Sequence, residues 1–243
     1  SVLSLMIIFC LFIGGNAKTK TGRMYVLLLL LNMGGLLFDA LAYVFRGKTY
    51  PFAYFGVRAS NFLAFCSLCV FSTVFLSYLN EFVSVKRPGT CRPYLAVSWG
   101  VCVVYLVLYI VNLFVPIFYS IDANNIYMRS PLYGLTMVPA FLNMLLTVII
   151  LIKNKDVLTK SQITVFGMYV ALPMIALPVQ IFVYGLNFSS ITTTLVVVIM
   201  LLFLQTEQTR LLLKEEKAVA EATLALTESN NPLVLCQIQH NFL

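Results

Sequence analysis

Met24-Tyr-Val-Leu-Leu-Leu-Leu-Leu-Asn-Met-Gly-Gly-Leu-Leu-Phe-Asp-Ala-Leu-Ala-Tyr-Val-Phe45 decides the fold. The stretch is apolar on nearly every face of a helix, and a bilayer core takes about 20 such residues to cross. A soluble helix would set a charged face against an apolar stripe; here the one charge is Asp39. Backbone polar groups in hydrocarbon must bond within their own segment, so the run reads as a membrane-spanning helix.

Outward from it lie six more apolar runs: Val2–Gly15, Val57–Val83, Pro93–Tyr119, Pro131–Ile152, Ile163–Val183 and Ile191–Leu204. The expected fold is all-α: a polytopic membrane protein of seven transmembrane helices followed by a cytoplasmic signalling helix. Composition agrees, with 60% apolar and 10% charged residues and a mean hydropathy of +0.93, where soluble domains hold about half and about a quarter. The first run has neither the basic leader nor the small-residue cleavage site of a signal peptide. The expected division is a bundle over 1–204, a cytoplasmic helix over 205–229 and the start of a further segment over 230–243. The chain opens on Ser1 and stops inside a motif, so a longer protein is expected on both sides.

Charge sets the orientation. Lys18, Lys20, Arg23, Lys86, Arg87, Arg92, Lys153, Lys155, Lys160, Arg210, Lys214 and Lys217 fall on one side of the seven-span arrangement, twelve of the sixteen basic residues. The other side has Arg46, Lys48, Arg58 and Arg129. The positive-inside rule then puts the N-terminus outside and the C-terminus in the cytoplasm, in a cell membrane. The net charge of +7 is accounted for by this asymmetry, and nucleic acid is not an expected partner.

Few residues offer chemistry. His240 is the only histidine, so no histidine metal site or catalytic triad can be built, and no metal or cofactor is expected in this chain. Cys66 and Cys69 form a C-x-x-C inside an apolar helix, where small packing residues are the expectation and a redox or zinc pair the exception. Gly14-Gly15 and Gly34-Gly35 sit where small residues allow close helix packing.

Polar residues inside the runs are more informative, because an ionisable group in a span is costly and marks function. Asp39 shares a helix face with Asn32 and Tyr43. With Arg58, Asn61, Asn112 and Gln180 it falls in the outer half of the expected topology, and Pro116, Pro139 and Pro178 gather at similar depth. Asp39, Tyr43, Arg58, Asn61, Asn112 and Gln180 are therefore the candidates for an outward-facing ligand pocket. The competing expectation is an ion pair of Asp39 with Arg46 or Arg58 that fixes two helices. Asn143 reads as interhelical glue. The outer connections are short, so any stimulus must be read by the bundle itself.

The C-terminal stretch Thr206–Ser229 is rich in Leu, Ala, Glu and Lys, without Gly or Pro, and reads as a helix leaving the membrane. Leu212, Val219 and Leu226 make a weak heptad, with Glu215, Ala222 and Ser229 at the alternate core positions. Leu226-Thr-Glu-Ser229 and then Gln237-Ile-Gln-His-Asn-Phe-Leu243 follow. These residues resemble the dimerisation helix and H-box, Gln-Ile-Gln-Pro-His-Phe-Leu, of bacterial sensor histidine kinases, some of which have seven-helix input regions. His240 stands where that family has Pro, and Asn241 where it has the phospho-accepting histidine. Asn230-Asn231-Pro232 interrupts a segment that is continuous helix there.

The resemblance implies a homodimer through the cytoplasmic helix, a response regulator as partner, and ATP bound by a kinase domain beyond Leu243. It implies no catalytic residue on this chain. The delocalised amide of Asn241 is no nucleophile, and His240 is turned roughly a hundred degrees from the acceptor position. Two other classes compete. An input module of a cyclic-dinucleotide synthase would share the bundle, and a small-solute transporter or channel would show internal repeats and several midplane charges. A retinal protein is excluded because Ile191–Leu204 carries no lysine for a Schiff base.

Overall fold

The computed structural model describes residues 20–182 and 188–241. The first expected run, Val2–Gly15, lies outside them, as do Phe242 and Leu243. The described elements are α1 (Lys20–Phe45), α2 (Pro51–Ser84), α3 (Arg92–Asn112), a hairpin of β1 (Tyr119–Ile121) and β2 (Tyr127–Arg129), a 3-10 turn (Tyr133–Met137), α4 (Val138–Lys153), α5 (Lys160–Phe182) and α6 (Phe188–Asn241). The fold is thus almost entirely helical. Four helical segments among the described residues are long and apolar enough to cross a membrane: Lys20–Phe45, Pro51–Ser84, Arg92–Asn112 and Tyr133–Lys153. Such helices suit a multi-pass membrane protein. The chain divides into two compact units, Ser1–Ile199 and Met200–Leu243.

Within the first unit α2 is the central post, packed against α1, α3 and α4, with α5 against α4. Its buried face runs without a break from Phe71 to Leu76. By contrast α1 and α3 leave Leu27, Leu30, Leu37, Val103, Val104 and Val107 exposed, as helices do whose outer side meets lipid. Proline opens α2, α3 and α4 within their first turns, where its missing N–H breaks no helical bond.

The α1–α2 hairpin shows how small residues set register. Lys20 pairs with Glu81 at 2.8 Å, and Tyr25 meets Tyr78 with ring centroids 6.4 Å apart. A Cβ on Gly35 would lie 3.6 Å from Ser67. At the far end the Phe45 ring covers Gly56 so closely that a Cβ there would come within 2.6 Å of it. Two bonds tie α1 to the first part of α6: Tyr25 Oη donates to the Val197 carbonyl at 2.7 Å, and Asn32 Nδ2 to Thr194 Oγ1 at 3.1 Å.

Two run boundaries and one loop differ most from the sequence expectation. The run expected to start at Val57 is helical from Pro51, since proline supplies the first turn. The run expected to reach Tyr119 stops at Asn112, because that side chain turns back onto the following segment: Oδ1 accepts from Phe118 N at 2.7 Å and Nδ2 donates to the Tyr119 carbonyl at 3.2 Å. The expected loop 120–130 is instead an antiparallel hairpin over 119–129, with Tyr119 opposite Arg129 and Ile121 opposite Tyr127. The fold is therefore all-α except for this ribbon. Its turn is closed by Asp122 Oδ1, which accepts from Asn124 N and Ile126 N, and by Asn125 at a φ of 58°, a conformation asparagine tolerates.

The helix α6 also departs from expectation, running through Asn230, Asn231 and Pro232 to Asn241. Proline forfeits one backbone bond, at about 3 kcal/mol in a helix interior, and the helix continues on both sides of it.

Candidate ligand site at the hairpin end

The loops of the first unit collect at two ends. At one, Lys20 meets Glu81, Lys86 Nζ donates to the Val157 carbonyl at 2.9 Å and Lys153 Nζ to Tyr94 Oη at 2.7 Å. Arg87 there pairs with Asp156. These contacts latch the α2–α3 loop onto the α4–α5 loop, and Arg87 Nη1 donates to the Lys153 carbonyl at the end of α4 at 3.5 Å. Cys91 is buried at this end, and burial raises its thiol pKa.

At the other end the ribbon is bound to the bundle from three sides. Gly47 N donates to the Asn125 carbonyl at 3.2 Å and Asn125 Nδ2 to the Lys48 carbonyl at 2.8 Å, which holds the α1–α2 loop. Arg58 reaches from α2, its guanidinium 3.5 Å above the Tyr54 ring and donating to the Ile121 carbonyl at 3.4 Å. Asn112 clamps the base of the ribbon from α3. Beneath lies an aromatic floor in which Phe65 stacks on Tyr119 at 5.2 Å, and Tyr119 meets Tyr127 at 5.3 Å. The Arg129 guanidinium sits 4.4 Å from the Tyr133 ring centre. Among the described residues Tyr119 Oη is buried without a partner at hydrogen-bond geometry; burial pushes its phenol pKa up to about 12, against a lowering by the neighbouring Asn112.

The six candidate residues separate against this frame. Arg58 and Asn112 come together on the ribbon, but their polar atoms bond backbone there, which is a positioning role. Asn61 Nδ2 turns back to the Val57 carbonyl of its own helix at 2.7 Å. Asp39 is half-buried and Tyr43 about half exposed, at 52%. Continuing the α1–α2 register puts Asp39 level with Phe62 and Leu63, and Tyr43 level with Arg58 and Ala59. Gln180 belongs to α5, and its side chain lies outside the described residues, as do those of His240 and Asn241. What remains at the hairpin end is a cation-rich, aromatic surface with one buried phenol donor.

Sequence reasoning missed Tyr119 and Tyr133 because each was merged with an apolar span, and Arg129 because it fell in an expected outer loop. The alternation Tyr119-Ser120-Ile121 and Tyr127-Met128-Arg129, around Asp-Ala-Asn-Asn, was the signal for a hairpin. It also missed a contact deep in the bundle, where Cys69 of α2 lies 3.8 Å from Cys102 of α3. Among the described residues no group of three or more His, Cys, Asp or Glu side chains is placed to hold a metal. No protein-family model, no curated protein and no solved structure matches this chain.

Proposed function

We propose that the chain is the membrane input module of a two-component sensor histidine kinase, reading a stimulus at the hairpin end and relaying it to a cytoplasmic kinase domain. One observation carries the reading. A single helix of 54 residues starts with the apolar Ile191–Met200 and goes on as a stretch, Leu213–Thr227, that is exposed on every face. The first part suits lipid and the second water, and a change in either can pass along one helix. Val219 and Leu226, 65% and 64% exposed and seven residues apart, form an apolar strip that a second copy would cover in a homodimer. In this reading seven spans put the basic latch in the cytoplasm, ATP belongs to a downstream domain, and a response regulator takes the phosphoryl group. The ligand is anionic or aromatic, suited to Arg129 and the tyrosine rings beside it.

A graft tests it. Residues 1–229 are joined to the H-box and ATP-binding domain of a sensor kinase, with the junction lengthened by one residue at a time. A relay helix predicts autophosphorylation that rises and falls with a period of about 3.6 residues. Activity independent of junction length, together with solute uptake by proteoliposomes of the native chain, would overturn the proposal in favour of a transporter.

A further inference from the structure

We propose that Cys69 and Cys102 are a thiol–disulfide pair inside the bundle, oxidised by a small membrane-permeant hydroperoxide. This holds whether or not the bundle is a receptor. The two residues come from different helices, α2 and α3, and Cys69 donates its S–H toward Cys102 across 3.8 Å. Both are nearly fully buried, 3% and 1% exposed, among Phe65, Tyr105, Tyr109 and Phe118. Bonded sulfurs stand about 2.05 Å apart, so closure requires under 2 Å of approach. Rotation about the two Cα–Cβ bonds and a helix shift of about 1–2 Å supply that. Cys66, one turn earlier on α2, packs against the same cluster but is only partly buried.

Position decides the oxidant. Thiols in the middle of an apolar span are closed to charged reagents such as glutathione disulfide, whereas a small neutral hydroperoxide crosses hydrocarbon. In the first step one sulfur attacks the peroxide: an S–O bond forms, the O–O bond breaks, and the thiol proton leaves with the departing hydroxide as water. In the second step the other sulfur attacks the sulfenic sulfur: S–S forms, S–O breaks, and the second proton leaves with hydroxide as water. Two thiols and one hydrogen peroxide give one disulfide and two waters.

Closure also has a mechanical consequence. Ser72 Oγ and Thr73 Oγ1 both donate to the Cys69 carbonyl, at 2.9 and 3.3 Å, and both hydroxyls accept from Asn143 of α4. Drawing Cys69 toward α3 therefore pulls on the bonds that hold α2 to α4.

The test uses the full chain in lipid vesicles, treated with hydrogen peroxide or with external glutathione disulfide and quenched in acid. Free thiols are alkylated in detergent, and disulfide-linked fragments are identified by mass spectrometry. Peroxide is expected to give a Cys69–Cys102 linked pair that is absent from untreated protein, while glutathione disulfide gives none. Cys66→Ser keeps the pair and Cys69→Ser abolishes it. A Cys66–Cys102 link in its place, or peroxide-treated protein with Cys69 and Cys102 still reduced, overturns the proposal.

Discussion

Asn143 is the residue on which the middle of the bundle turns. Its side chain accepts from Ser98 of α3 at 2.6 Å and donates to Ser72 and Thr73 of α2 at 2.9 and 3.3 Å, so one amide joins three helices. All four residues are buried. Polar contacts between membrane helices are worth about 0.6 kcal/mol on average and about 1.7 at most. Asn143→Ala breaks three at once and strands the Ser98 hydroxyl, so a loss of about 1–3 kcal/mol is expected. Denaturant unfolding in detergent measures it. Ser98→Ala costs less, because Asn143 keeps its contacts to α2. Equal losses for the two variants would mean that packing volume, and not the amide, holds the helices. The role of Asn143 was legible in the sequence, since an amide amid apolar residues in a span has few other uses. Its partners were not, because three serine and threonine hydroxyls on two helices look alike in sequence.

At the scale of elements, α1 and α2 are joined by Gly56 lying under the Phe45 ring. Alanine is the better helix former by about 1 kcal/mol, which argues for stabilisation by Gly56→Ala. The ring argues the other way, as a Cβ would meet three of its atoms at 2.6–2.8 Å, and overpacking costs about 1–3 kcal/mol. The second effect is the larger, so Gly56→Ala lowers the melting temperature. In a Phe45→Ala background the same substitution is neutral or stabilising, which a double-mutant cycle reads directly. An additive cycle would show that the two residues do not bear on each other. The sequence drew attention to Gly34-Gly35, and only Gly35 faces the neighbouring helix. Glycine next to glycine marks small volume, but which one meets a partner depends on the rotation of the helix.

For the whole molecule the distribution of charge makes the sharpest statement. Lys86, Arg87 and Lys153 gather at the end where Lys20 meets Glu81, while Arg58, Lys48 and Arg129 gather with the ribbon at the other. A reporter fused after Ser229 should behave as cytoplasmic, and one placed within Asp122–Asn125 as external. The reverse result would put the ribbon in the cytoplasm and remove it as a receptor surface.

A helical, membrane-suited chain was legible in the sequence itself, in the apolar runs, the sorting of basic residues between two sets of connections, and the charged stretch that follows. Those properties are sums over many residues, so no single contact has to be known. What bears on a site came from the packing of the helices. Asn112 and Arg58 were expected in the outer half of the bundle, and only the fold shows that both bond the backbone of the ribbon. Cys69 was read beside Cys66, its neighbour along the chain, yet its sulfur meets Cys102 on another helix. Both outcomes have one physical cause. Hydrocarbon favours any apolar helix in much the same way, whatever its neighbours, whereas a hydrogen bond or a sulfur contact extends only a few ångströms. Which groups come that close is set by helix rotation and register, and these depend on every packed side chain at once.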